Sequence, residues 1–318
     1  MNEFEFINRI KKSHRLGKIG DDCAVLPMNE QFDLLLTADM LVEDIDFRIE
    51  WTRPEFLGHK ALAVSISDVV AMGGAPTFSV LSIGVPEKLW KNSFLESFYA
   101  GWHMLAKQVG VELVGGDVSR TPERLVIDSV VLGKVEKESA VLRSGAKPGD
   151  KIFVSGSLGG AAGGLKLLET GLRPGMANAG WQEKLMKRQL SPFVRVGLLA
   201  RIRELQATSM IDISDGLSSD LAHICRSSGV GAILFADKIP VAPELDHLPG
   251  TTEDHLELAL HGGEDLELLF TSGANEEMIE ASDRFTCIGE ITEEPEVIKI
   301  LRSGRIETLG PKGFLHYD

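Results

Sequence analysis

Two hydrophobic rhythms alternate along the chain: short runs of β-branched and aromatic residues, and longer stretches with apolar residues three and four apart. Phe32–Thr37 and Phe78–Gly84 read as strands, separated by a helix over Pro54–Met72 that Gly73-Gly74-Ala75-Pro76 stops. A helix over Ser93–Val109 follows, then strands near Val111–Val114 and Leu125–Val135. The polar run Lys134–Ser139 and the turn-rich Gly145–Asp150 break the rhythm, which puts a domain junction there and divides the chain into 1–138 and 139–318. The second half restarts with a strand at Lys151–Ser155, a glycine-rich loop and a helix through Leu168. Ser191-Pro192 supplies an N-cap and a first-turn proline for a further helix to about Leu205. A strand near Met210–Ile213, a helix over Leu217–Ser227 and strands around Ala232–Phe235, Leu266–Phe270 and Val297–Leu301 complete the pattern. Such alternation predicts an α/β (α+β) chain, and no low-complexity tract or short repeat interrupts it.

The chain has 318 residues, enough for two domains each with its own core. Its 33 basic and 47 acidic residues leave a formal charge of −14, which argues against nucleic acid or an anionic membrane as a bulk partner. No apolar run reaches the ~18 residues of a membrane span, and the acidic start MNEFEFINRI is unlike a signal peptide, so a soluble, cytoplasmic protein is expected. Cys23, Cys225 and Cys287 are far apart and form no CxxC pair, as packing thiols would be.

Against that acidic background, several aspartates have the wrong neighbours for surface charge. Asp22 precedes Cys23-Ala24-Val25-Leu26, Asp39 follows the strand through Thr37, and Asp68 sits inside the nearly uncharged helix AVSISDVVAM. Asp117 follows Leu113-Val114-Gly115-Gly116, and Asp212 and Asp215 lie where a strand turns into a helix in MIDISDGL. A carboxylate in apolar surroundings costs several kcal/mol unless it is paired or metal-bound. Basic partners are scarce in these segments, so the expectation is convergence on hard cations, with Mg²⁺ the usual ion beside phosphates. No segment has the EF-hand loop pattern.

Paired glycines join a carboxylate in Gly115-Gly116-Asp117 and in Gly262-Gly263-Glu264-Asp265, a combination that suits close backbone approach of a ligand. Ser155–Gly164 narrowly misses the Walker pattern, because Leu165 precedes Lys166, and it reads equally as a loop made small for helix-strand packing. No HExxH, GxSxG, kinase-type HRD…DFG or Cys/His nucleophile arrangement is present, and His59, His103, His223, His255 and His261 are scattered. Any catalysis should therefore rest on positioning and charge neutralisation.

Taken in order, IGDDCAVL (Ile19–Leu26), LTADMLVEDIDF (Leu36–Phe47), KALAVSISDVVAMGGAP (Lys60–Pro76), GGDVSR (Gly115–Arg120), RSGAKPGD (Arg143–Asp150), IDISDGLSSDL (Ile211–Leu221), GGEDL (Gly262–Leu266) and GFLHY (Gly313–Tyr317) resemble the thiamine-monophosphate kinase family of the aminoimidazole ribonucleotide synthetase-like superfamily. The resemblance spans nearly the whole chain. It implies an ATP-dependent phosphotransferase making thiamine diphosphate from thiamine monophosphate, a homodimer with several Mg²⁺ ions and ATP between two domains. The N-terminal domain would be a mixed-sheet or barrel-like ATP/Mg and dimerisation unit with helices, and the C-terminal domain an α/β sandwich completing the site. Matched motif to motif, Asp22, Thr37, Asp39, Asp68, Asp117, Asp212 and Asp215 would ligate metal, and Gly116, Asp117, Arg143 and Ser214 would contact ATP. Asp46, Glu264 and Phe314 would contact the thiamine end, with no general base.

Two positions depart from the family pattern: Ala38 stands where a hydroxyl residue is common, and Asp46 where many members have His. The alternatives are another ATP-dependent enzyme of the superfamily, such as one like aminoimidazole ribonucleotide synthetase, or a non-catalytic nucleotide- or metal-binding protein. The family's acceptor, a phosphate monoester with a second pKa of about 6, is already largely an anion near neutral pH, so a missing catalytic histidine is expected.

Overall fold

A computed structural model of the chain describes residues 3–274, 284–314, 316 and 317; Leu315 of the tail motif lies outside them. The first half carries α1 (Glu3–His14), β1 (Ala24–Pro27), β2 (Phe32–Val42), α2 (Pro54–Ala71), β3 (Ala75–Pro86), the single turn α3 (Glu87–Trp90), α4 (Phe94–Val109), β4 (Glu112–Thr121) and β5 (Val126–Glu136). Its strands form one sheet in the order β1-β2-β5-β3-β4. β1 and β4 are its edges, so the barrel-like sheet expected from the resemblance does not close within one chain.

α2 lies buried between this sheet and α4, which is why its sequence is apolar on nearly every face. Two glycines permit the close crossing: a Cβ on Gly58 would stand 1.9 Å from the Phe98 carbonyl oxygen, and one on Gly101 1.9 Å from that of Glu55. Phe98 and Trp102 of α4 fill the space beside them.

The second half carries β6 (Lys151–Ser155), α5 (Gly160–Glu169), α6 (Gly180–Leu190), α7 (Leu199–Glu204), β7 (Ser209–Asp212), α8 (Leu217–Ser228), β8 (Gly231–Phe235), α9 (Thr252–His261), β9 (Leu268–Ser272), β10 (Phe285–Thr292), β11 (Ile298–Arg302) and β12 (Arg305–Thr308). The seven strands run β12-β11-β8-β10-β6-β9-β7, with β8 and β11 parallel and the other pairs antiparallel. Both faces of the sheet are covered, which explains why β6, β7 and β9 read as continuous apolar runs. Ile152, Val154, Ile211 and Leu269 pack with α8 and α9, whereas Phe153, Met210, Leu268 and Phe270 point the other way, into the core of the first half. One hydrophobic cluster thus includes Met72 and Val69 of the N-terminal half and Phe153, Phe270 and Phe285 of the C-terminal sheet.

The helix expected from Ser191 does not form. Residues 192–195 are irregular, and only Leu199–Glu204 is α-helical. The segment is held by longer-range partners: His59 Nε2 lies 2.8 Å from the Pro192 carbonyl oxygen, and Arg195 pairs with buried Glu267. α1, α6, α9, β10 and β12 had no counterpart in the sequence pattern.

Candidate active site

α2 runs past the end of β7, and this junction assembles an acidic centre. Carboxylate oxygens of Asp22, Asp68 and Asp212, contributed by the loop before β1, by α2 and by the end of β7, lie within 4.8 Å of one another. Hydroxyls orient them. Thr37 Oγ1 donates to Asp68 at 2.5 Å and Ser67 Oγ donates to Asp212 at 2.5 Å, while Ser65 Oγ, beside Asp39, donates to the Ser129 carbonyl at 2.9 Å. Among the described residues the single cation in contact is Arg143, whose Nη2 and Nε donate to Asp22 Oδ1 at 2.5 and 3.1 Å while its backbone N–H donates to Asp21.

Burial, reinforced by the neighbouring carboxylates, raises every member of this group. Asp22 is pushed to about 7 despite Arg143, Asp39 and Asp212 to about 6, and Asp68 well above the usual carboxylate range. Four acids against one guanidinium is an under-compensated cluster. Asp22 Oδ2 and Asp39 Oδ2 are buried with no hydrogen-bond partner among the described residues. Convergent, unpartnered carboxylate oxygens form the donor set of a hard divalent cation, so these residues fit Mg²⁺.

The cluster borders a cavity of about 650 Å³ lined from both halves of the chain. Asp39, Asp68, Asp212, Ser214 and Asp215 line one part; Asp46, Trp51, Lys60, Gln189, Glu264 and Phe314 line another. The turn bearing Ser214 and Asp215 is locked from below by Asp220, which accepts from the backbone N–H groups of Asp215 and Gly216 at 3.2 and 3.0 Å. It is tied to the GGED loop by Glu264 N–H donating to the Ser214 carbonyl at 2.8 Å. Phe314 N–H reaches the Asp215 carbonyl at 3.3 Å and brings the tail alongside. Asp46 accepts from Val42 N–H at 2.7 Å, and its carboxyl is raised by burial and by the nearby Glu264, so this part of the cavity is acidic too.

Several motif residues lie elsewhere. Gly116 and Asp117 are on the exposed edge strand β4, Gly116 paired with Leu81 of β3, Leu81 with Ser129 of β5, and Ser129 with Asp39 of β2. Three strand spacings, about 14 Å, separate them from Asp39, and a single chain does not bring them to the acidic centre. The glycine-rich loop before α5 is not open to an anion either. Asp265 already accepts from Gly159 and Ala161 N–H at 2.5 and 3.0 Å, backed by Arg188 at 3.1 Å. Its glycines serve packing, since a Cβ on Gly164 would lie 2.1 Å from the Leu185 carbonyl oxygen.

Lys60, Gln189 and Asp220 were missed. Lys60 carried the same signal as Asp68, a charge in an apolar helix, and lies eight residues before it.

Residues 20–135 match the family described as AIR synthase related protein, N-terminal domain, and residues 147–301 match its C-terminal domain counterpart. A thiamine-monophosphate kinase of Bacillus subtilis (strain 168) is 36% identical over 333 residues, covering 100% of both chains. One of Escherichia coli (strain K12) is 37% identical over 324 residues, 98% of this chain and 96% of that one. The chain belongs to the thiamine-monophosphate kinase family. Among solved structures of this kinase family, one described as AaThiL complexed with AMPPCP and TMP superposes with a TM-score of 0.89 at 34% identity, covering 99% of this chain and 97% of that one. The thiamine monophosphate kinase of Aquifex aeolicus gives 0.83 at 33%, covering 97% and 98%. A hydrogenase maturation protein HypE in complex with ATP, at 18% identity and a TM-score of 0.70 over 96% of this chain and 94% of that one, shares the fold alone.

Proposed function

We propose that the chain transfers the γ-phosphate of ATP to thiamine monophosphate, giving thiamine diphosphate by direct in-line displacement. The observation that carries this reading is the convergence of Asp22, Asp68 and Asp212 beside the cavity shared by both halves. The names of the relatives, and the ATP analogue and TMP in the similar structure, support the choice of substrates.

Asp22, Asp39, Asp68, Asp212 and Asp215 would hold Mg²⁺ ions, with Thr37 in support. Bound there, Mg²⁺ supplies the positive charge that lets two polyphosphate anions approach each other. With Ala38 before Asp39, any contact at that position falls to its backbone oxygen or to water. Arg143 offers a planar fork suited to phosphate oxygens and Ser214 a hydroxyl on the locked turn. At the other part of the cavity, Glu264 and Asp46 would accept from the amino group or face the cationic ring of thiamine, and Phe314 would stack. No side chain needs to remove a proton, because the acceptor phosphate is already ionised near neutral pH.

Domains over 1–138 and 139–318 would then contribute metal and nucleotide residues on one side and the rest of the site on the other. A homodimer is supported by the β4 edge, where Val114 and Val118 are exposed beside Phe78 of β3. In such a dimer Gly116 and Asp117 would lie at the interface rather than in the cluster of their own chain. All three cysteines are buried, which suits packing residues of a protein in the reducing cytoplasm.

Incubation of the chain with ATP, Mg²⁺ and thiamine monophosphate tests the reading. Thiamine diphosphate is the expected product; its absence, with cyclisation of formylglycinamidine ribonucleotide instead, would move the chain to the synthetase branch.

A further inference from the structure

Lys60 is 2% exposed, and its Nζ lies 2.7 Å from Glu264 Oε2. Gln189 Nε2, from α6, donates to the same oxygen. Glu264 itself stands in the left-handed region at φ 66°, unusual for a residue with a side chain, and its N–H is tied to Ser214. One carboxylate oxygen is thus saturated by donors from two helices; among the described residues Oε1 has no hydrogen-bond partner, and Glu264 lines the cavity. Strain at the backbone, two donors on one oxygen and a second oxygen without one make Glu264 a fixed acceptor in the cavity wall.

α2 adds a second, independent constraint. Lys60, Val64 and Asp68 are spaced i, i+4 and i+8, fall on one helix stripe, and all line the cavity. Eight residues of helix span about 12 Å. The same rigid element therefore fixes the acidic centre through Asp68 and the acceptor through Lys60, setting how far apart the two ends of a bound substrate are held.

We propose that Lys60 is a positioning residue that holds the Glu264 carboxylate to accept from the exocyclic amino group of the substrate's aminopyrimidine ring, at a distance from the phosphate end set by α2. The proposal rests on the kinase reading given above. Lys60 touches Glu264 and acts through it. A site built to receive an amine discriminates against an analogue that lacks it far more than a loss of packing would.

The test compares thiamine monophosphate with oxythiamine monophosphate, in which an oxo group replaces the amino group, in the native chain, Lys60→Met, Glu264→Gln and the double variant. The native chain should favour the amine by about ten-thousandfold in kcat/KM. Each single variant should lose at least about ten-fold of that preference, mainly through KM for thiamine monophosphate. If Lys60 acts on the substrate through Glu264, the double variant should discriminate no worse than Glu264→Gln alone. Should Lys60→Met fail to fold because it leaves Glu264 uncompensated, the double variant, which leaves no charge behind, carries the test against Glu264→Gln.

Unchanged preference in Lys60→Met, a further ten-fold loss in the double variant over Glu264→Gln, or no preference in the native chain would each overturn the proposal while the kinase reading stands. Absence of thiamine diphosphate from the native chain would overturn both.

Discussion

Asp22, Asp68 and Asp212 are held close together by hydroxyls that donate to them and by one guanidinium, with four acids raised by burial. The sign of the pH dependence follows from that. A carboxyl whose folded pKa lies above its unfolded value of about 4 contributes most when protonated, and that contribution disappears as pH rises through the folded value. With Asp39 and Asp212 at about 6 and Asp22 at about 7, the metal-free chain should lose thermal stability between about pH 4 and pH 7. Mg²⁺ favours the ionised form, so its stabilising shift in Tm should grow over the same interval; a shift independent of pH would contradict the assignment. Asp212→Asn should remove most of the Mg²⁺-dependent shift and raise the metal-free Tm by a few degrees, since one buried charge is gone, which thermal melts with and without Mg²⁺ would read. Asp68 was legible in the sequence because an isolated acid in an apolar helix has few explanations. Lys60 was overlooked because its partner, Glu264, lies 204 residues away and only the fold joins them. The unusual backbone of Glu264 likewise has no local sequence signal beyond its preceding glycines.

The elements that could be read were those whose burial is periodic along one face or complete. α2, α4 and α8 were placed within one or two residues, and the apolar runs read as strands at Lys151–Ser155, Met210–Ile213 and Leu266–Phe270 are β6, β7 and β9, which the structure covers on both faces. The expected helix from Ser191 failed for the opposite reason: Pro192 and Arg195 are committed to His59 and Glu267, and those contacts outweigh a good local cap. β12 is wholly exposed, so it had no hydrophobic pattern to detect. The glycine-rich loop shows how a phosphate-like pattern can arise from packing. Asp265→Asn should lower stability by about 1–3 kcal/mol through the amides of Gly159 and Ala161 and through Arg188, yet leave KM for ATP within about two-fold, as denaturant melts and steady-state kinetics would measure. Gly58→Ala should cost more, about 3 kcal/mol or above, because its new methyl meets the Phe98 backbone and neither helix can retreat without disturbing the core around Trp102.

Across the whole molecule, α2 links the N-terminal sheet to the site. It packs on its own sheet and on α4, hands Ser67 to Asp212 and Lys60 to Glu264, and lies beside a hydrophobic cluster continuous with the C-terminal sheet. The net charge of −14 thereby separates into solvated acids and a buried group that, under the proposed function, would need imported cations to accept a polyanion. The exposed β4 edge with Val114 and Val118 is the place where a second copy would pair, and light scattering on the purified chain should return twice the monomer mass; Val118→Lys should shift it towards one. The measurement that bears most directly on the central claim is the Mg²⁺ dependence of thiamine diphosphate formation in the native chain and in Asp68→Asn. Product should form from the native chain only when Mg²⁺ is present, and at a rate at least a hundredfold (about 2.7 kcal/mol) lower in the variant at limiting Mg²⁺ with the fold intact. Native rates from Asp68→Asn at limiting Mg²⁺, or product formed by the native chain in chelator, would contradict it.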